Sequence, residues 1–170
     1  MPIKHPIASW IAVCAIALMA CVLADGQTVE KIAPSSGKAL CSALTPADFT
    51  KAGVQVSALR QANVDGMNGA YCVYDSKAGS VEFDIFFPAG ANPAEVAATE
   101  KTVLAEIGVP SQPVPLPGAG AAHIAVDAGK SASIVVRKGS AVFDINIPTG
   151  PNARQQLIAL SQIVLGRLKL

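Results

Sequence analysis

A thirteen-residue pattern recurs sixty positions along the chain, with seven of its residues identical. SVEFDIFFPAGAN at 80–92 returns as SAVFDINIPTGPN at 140–152, with Ser, Phe-Asp-Ile, Pro, Gly and Asn in matching places and no gap. Phe83, Ile85 and Phe87, like Phe143, Ile145 and Ile147, occupy alternate positions, so each segment is expected to be a strand with one apolar face. Pro88 and Pro148 close the strands, Gly90 and Gly150 turn the chain, and Asn92 and Asn152 are N-cap candidates for the segments that follow. Those segments carry apolar residues at three-to-four spacing: Val96, Val103, Leu104 and Ile107 in Pro93–Ile107, and Leu157, Leu160, Val164 and Leu168 in Ala153–Leu168. That period predicts amphipathic helices.

A strand precedes each copy, Cys72–Ser76 in the first and Ser133–Arg137 in the second, the latter turning through Lys138-Gly139. The expected fold is therefore α+β, an antiparallel sheet with packed helices built from two strand–strand–helix repeats, 70–108 and 131–168, inside a single domain over 39–170. A short N-terminal helix is added by Thr45-Pro46-Ala47-Asp48, which combines an N-cap hydroxyl, a proline at N1 and an acid at N3, with Gly53 placed to end it. Val54–Leu59 and Ala70–Tyr74 read as strands around an Asn63–Gly69 turn cluster. The proline-rich stretch from Val109 to Gly120 joins the halves, and its composition predicts a surface crossing without regular structure.

The first two dozen residues are of another kind. Lys4 is followed by an apolar run from Ile7 to Val22, the pattern of a secretory signal. Val22-Leu23-Ala24 suits ordinary signal peptidase and gives a signal over 1–24; Leu18-Met19-Ala20-Cys21 resembles a bacterial lipobox, which would end the signal at 20 and lipidate Cys21. A retained anchor is the competing reading, since about 18 apolar residues just span a bilayer. Residues 25–38, DGQTVEKIAPSSGK, read as a tether. The chain is expected to be exported to the periplasm or cell envelope, touching membrane only through a lipid anchor.

Cys14 and Cys21 belong to the signal, leaving Cys41 and Cys72. An even pair in an exported chain reads as a disulfide, because the compartment is oxidising. Lys4 is the single Lys or Arg before Asp25, so the 13 basic residues fall to 12 against 12 acidic ones and the mature chain is formally neutral. It also loses Trp10 and keeps Tyr71 and Tyr74 as its tyrosines. Neutrality and scarce aromatic platforms argue against nucleic acid as a partner.

Few residues carry chemistry. Gly118-Ala119-Gly120-Ala121-Ala122-His123 has His123 at the third glycine position of a dinucleotide fingerprint and Pro115 and Pro117 before it, so a tight turn into a strand at His123–Asp127 is the better reading. Asp84 and Asp144 stand at equivalent places in the two copies, on the face opposite the phenylalanines. Their simplest reading is as solvated positions on half-exposed strands. If the copies pair about a pseudo-two-fold, the two carboxylates come near one another, an arrangement used in general acid/base work or cation coordination. His123, the one histidine after the signal, reads as a turn-exposed or satisfied histidine rather than a catalyst, and Ser131, Ser133 and Ser140 lack a nucleophile elbow. No metal-ligand spacing occurs, so neither metal nor cofactor is expected.

The order of four short pieces, Cys41-Ser42-Ala43-Leu44-Thr45-Pro46-Ala47-Asp48, Cys72-Val73-Tyr74, Pro117-Gly118-Ala119-Gly120-Ala121-Ala122 and the closing apolar helix, resembles a domain family of unknown function common in small actinobacterial envelope lipoproteins. The resemblance covers roughly 40–169; Ala121 stands where that family is often acidic, and Met19 is atypical of a lipobox. It implies a Cys41–Cys72 disulfide and an α+β fold, and carries no established reaction or ligand. Three functions are then in competition. The first is a non-catalytic module binding a small apolar ligand or a protein partner, which an aliphatic pocket would favour. The second is a structural or inhibitor-like interaction module, which a flat apolar patch would favour. The third is a hydrolase with an unconventional carboxylate site, which convergent groups with shifted pKa values would favour.

Overall fold

The structure is a computed structural model that describes residues 37–65, 69–89 and 92–168. The signal, Cys21 and nearly all of the tether lie outside the described residues. Among those described, seven strands form one antiparallel sheet, β1 (Leu59–Asp65), β2 (Gly69–Tyr74), β3 (Val81–Phe86), β4 (Ser111–Pro113), β5 (Ala121–Asp127), β6 (Ser131–Lys138) and β7 (Ala141–Pro148), in the order β1-β2-β3-β7-β6-β5-β4. Four helices accompany it, α1 (Gly37–Cys41), α2 (Pro46–Lys51), α3 (Pro93–Glu106) and α4 (Ala153–Arg167). The fold is α+β and dominated by its sheet.

The two recurring segments become β3 and β7, which pair with each other at the centre of the sheet. Phe83 lies opposite Ile145 and Ile85 opposite Phe143, so both apolar sets line one face, where the two phenylalanine rings meet edge to face at 6.2 Å. Each copy brings its neighbouring strand by a hairpin: β2 to β3, and β6 to β7 through a two-residue turn in which Gly139 takes the positive φ of 53° that such turns require. On the phenylalanine face, α1, α2 and α4 cover the main core, with Leu40, Phe49, Leu157, Leu160 and Val164 packed on Cys72, Phe83, Ile134, Phe143 and Ile145.

The correspondence between the copies does not carry into the helices. A two-fold axis relating β3 to β7 would bring both following helices to one face, yet α4 lies on the phenylalanine face and α3 on the other, over β6 and β7. The stripes explain the split. Leu157, Leu160, Val164 and Leu168 are uniformly apolar and merge with the main core, whereas the buried residues of α3 are Val96, Glu100 and Val103, with an acid at the centre of the stripe. A helix with that stripe needs a sheet face carrying cations as well as valines.

The phenylalanine face is also the fastened one. Cys41 on α1 and Cys72 on β2 form a disulfide with Cα atoms 5.6 Å apart, as their count in the chain predicts. Beside it the buried Tyr74 hydroxyl reaches the carbonyls of Leu44 at 2.7 Å and Cys41 at 3.0 Å, and its ring packs on Phe49 at 4.7 Å. The capping box at Thr45 forms as its sequence predicts, with Asp48 accepting from the Thr45 amide at 2.8 Å. Asp48 is 2% exposed and receives both terminal nitrogens of Arg167 from α4, at 2.6 and 2.9 Å, which ties the last helix to the first ones. Burial works to raise the Asp48 carboxyl, but the hydrogen bonds from Arg167 and Thr45 outweigh it and hold the group below the ordinary aspartate value.

Several local expectations are corrected. Residues 54–58 are not strand; β1 starts at Leu59 and runs through Asp65 into what reads as a turn cluster, because β2 supplies a ladder partner for each of Asn63, Val64 and Asp65. The proline-rich connection is more ordered than its composition suggests: Ser111–Pro113 adds the edge strand β4, where the prolines at 110 and 113 cost little, and Val114 and Leu116 reach the core. Gly37 and Lys38, read as tether, belong to α1. Asn92 caps α3 by accepting from the Glu95 amide at 2.9 Å, whereas Asn152 makes no side-chain cap and α4 starts without one.

Candidate functional site

The face beneath α3 is built by strand alternation. Because residues opposite one another in a ladder share a face, the registers generate a single row across five strands: Tyr71 on β2, Asp84 on β3, Asp144 on β7, Val135 on β6 and His123 on β5. The next row beside it contains Glu82, Asn146 and Ser133, where the Asn146 amide donates to the Ser133 hydroxyl at 3.1 Å. The row on the other side contains Phe86, Val142 and Arg137.

Two kinds of contact hold α3 on this face. Val96 and Val103 pack on Val135 and Val142, with Phe86, Leu104 and Ile107 around them. Between the valines Glu100, 8% exposed, meets Arg137 Nε at 3.0 Å and lies 3.6 Å from His123 Nε2. An acid so covered is tolerable because a cation faces it. Of the two readings of His123, turn-exposed or satisfied, the structure gives the second: it is partly buried on β5, 3.6 Å from Glu100 of α3.

Beside this clamp the helix stands off the sheet and leaves a cleft of about 390 Å³, lined by Tyr71, Asp84 and Phe86 from the sheet and by Ala98, Thr99, Thr102, Val103 and Glu106 from α3. Its walls are mixed, aliphatic and aromatic carbon alternating with hydroxyls and carboxylates. Asp84, which lines the cleft, stands directly opposite Asp144 in the ladder, at a separation that for cross-strand neighbours places the Cβ atoms about 4.5–5.5 Å apart. The pairing alternative is the one the register realises: the copies pair, the two aspartates stand opposite each other, and both are partly buried rather than fully solvated.

The electrostatics follow from that placement. Burial, then the charges of Asp84, Glu82 and Glu106, raise the Asp144 carboxyl well above the ordinary aspartate value. Tyr71 is raised as well, by burial, by the charges of Glu82 and Asp84, and by a hydrogen bond to Glu82. A carboxyl that keeps its proton beside one that does not can donate one hydrogen bond and accept others, or move a proton. Among the described residues no three His, Cys, Asp or Glu side chains are grouped to hold a metal ion.

Of the residues singled out from sequence, Asp84, Asp144 and His123 share one face, the first two adjacent and the third two strands further from Asp144; Cys41 and Cys72 lie on the opposite side of the sheet. Tyr71, Glu100, Glu106 and Arg137 were missed. Glu100 carried a signal, since it falls four residues after Val96 and three before Val103, on the helix's own apolar stripe. Tyr71 and Arg137 carried none before the registers were known. Comparison with protein-family models, with curated proteins and with solved structures finds no match to this chain, so the likeness to the envelope lipoprotein family rests on the short motifs alone.

Proposed function

We propose that this chain is an exported envelope protein that binds a small, largely apolar ligand bearing a hydrogen-bond donor or positive charge, in the cleft between α3 and the sheet, without transforming it. The observation that carries the reading is the cleft itself, concave, walled by Phe86, Val103 and Ala98, with Asp84, Glu106 and Tyr71 converging on it. Among the described residues Val126 is the large apolar side chain left exposed, which favours a pocket binder over a flat interaction module. Export is supported by the Cys41–Cys72 disulfide, which suits an oxidising compartment, and by the signal-like opening residues. Attachment through Cys21 and membership of the envelope lipoprotein family belong to the same proposal. Among the described residues no helix is long and apolar enough to cross a membrane.

A thermal-shift screen of small apolar amines and neutral amphiphiles tests the reading, because a ligand of the native state raises the melting temperature. Thr102→Trp, which fills the cleft, should abolish the shift; a ligand that stabilises this variant equally binds elsewhere. The second reading, acid/base hydrolysis by a carboxylate pair, is favoured by one observation, the raised carboxyl of Asp144 beside Asp84. It predicts a turnover lost in both Asp84→Asn and Asp144→Asn with the fold intact.

A further inference from the structure

We infer that the Asp84–Asp144 pair is a proton-operated latch on α3: a proton held between the two carboxyls keeps the helix seated over the cleft, and its loss loosens the C-terminal half of the helix and widens the cleft. The consequence for the cleft rests on the binding reading above; the latch does not.

The geometry has three parts. Asp84 and Asp144 are opposed in register on the two central strands, a place where two negative charges repel directly. The groups facing Asp144 are mostly acidic: Glu82 and Asp84 from β3, and Glu106 from α3, with the Tyr71 phenol on β2 next in the row. Among the described residues, two arginines of neighbouring strands have acidic partners of their own. Arg137 on β6 is paired with Glu100, whose other oxygen lies 3.6 Å from His123 on β5, and Arg60 on β1 is paired with Asp75 at 3.5 Å. Finally, α3 ends at Glu106, which lines the cleft with Asp84, and has no basic residue in its last turn to offset the negative end of the helix dipole.

The last turn of the helix is therefore held against a cost. Glu100 on Arg137 and Val96, Val103, Leu104 and Ile107 around Val135 and Val142 seat the helix, while Glu106 in that last turn faces the cleft and its acids. One proton on the pair removes a charge at the centre of that acidic group; releasing it leaves Asp84, Asp144, Glu82 and Glu106 charged together under an unneutralised helix terminus. Repulsion of this kind falls on α3 and spares α4, which lies on the opposite face with Arg167 in its last turn.

Amide hydrogen exchange on the ligand-free protein between pH 4.5 and 8.5, corrected for intrinsic rates, reads the latch directly. Protection of α3 amides over 96–106 should fall at least tenfold relative to α4 amides over 157–165 as pH rises. Asp144→Asn, a neutral isostere, should hold α3 protected across the range, and Asp84→Asn should remove the drop or move its midpoint. A constant α3-to-α4 ratio in the unmodified protein overturns the inference, and so does an undiminished drop in Asp144→Asn, which would assign it to the Glu100–His123 contact. Should Asp144→Asn fail to fold, an unchanged midpoint in Asp84→Asn overturns it equally. No ligand enters the measurement, so its failure and that of the binding screen are separate results.

Discussion

The two faces of the central sheet use the same strands in opposite ways. On one, β3 and β7 present Phe83, Ile85, Phe143, Ile145 and Ile147 to a continuous apolar core under α1, α2 and α4. On the other, Glu82, Asp84, Asp144 and Asn146 come from the same strands, one residue out of phase, and meet α3 over a small valine cluster. Each face holds a carboxylate away from water, yet the two carboxylates are shifted in opposite directions. Asp48 lies between Arg167 and Thr45 and is lowered; Asp144 lies among acids and is raised. Burial works to raise both; the first is a fastener because Arg167 and Thr45 outweigh it, and the second a point of tension because its acidic neighbours add to it.

Truncating neighbours on β7 sharpens this comparison most. Phe143→Ala removes a fully buried ring from the main core and should cost about 3–5 kcal/mol. Val142→Ala, one residue away on the other face, should cost only about 1–2 kcal/mol, as two methyl groups imply. Equal losses in urea denaturation would mean that α3 is as firmly seated as α4. Replacing Cys41 and Cys72 together by Ser opens a link spanning 31 residues and should cost about 3–4 kcal/mol in the chain-entropy account. Mass measurement after alkylation should find neither thiol free in the unmodified protein.

Arg167→Met leaves Asp48 buried without its cation and should cost roughly 2–3 kcal/mol, below the fully buried range because the arginine side chain is 28% exposed. The pH dependence gives the same contrast with opposite sign. A lowered carboxyl contributes stability that is present above the ordinary aspartate pKa of about 3.9 and is lost as pH falls through its own lower value. Arg167→Met should therefore flatten the acid limb of a stability-against-pH curve. A raised carboxyl binds its proton in the folded state first, so stability declines as pH climbs from about 3.9 through the raised value of Asp144. Asp144→Asn should abolish that decline and gain about 1 kcal/mol at pH 8, the scale of one like-charge cross-strand pair. A loss of stability at pH 8 would show instead that the aspartate is engaged by partners its amide cannot serve.

The limits of what could be read from the chain are physical. Local rules suffice where an interaction spans a few residues, so the Thr45 capping box, the Asn92 cap and the alternation of β3 and β7 are all legible. The Asn152 cap fails because a good cap residue still needs the right backbone, and here its φ and ψ are −109° and 8°. The recurrence at 80–92 and 140–152 suggested equal units but could not say that β3 and β7 would be neighbours, since strand order depends on which faces the helices must cover.

By itself, the amino-acid sequence determined which side chains of each strand travel together, because alternation is a property of the extended backbone, and which two cysteines remained to pair. It also placed Asp84 and Asp144 at equivalent positions. Only the tertiary structure decided that those positions coincide across one ladder, that α3 crosses to the polar face while α4 does not, and that Glu100, Arg137 and His123 meet there. Those outcomes join residues as many as 60 positions apart in the chain. Their energies depend on register, burial and the sign of neighbouring charges, none of which is a property of a residue until the sheet has closed around it.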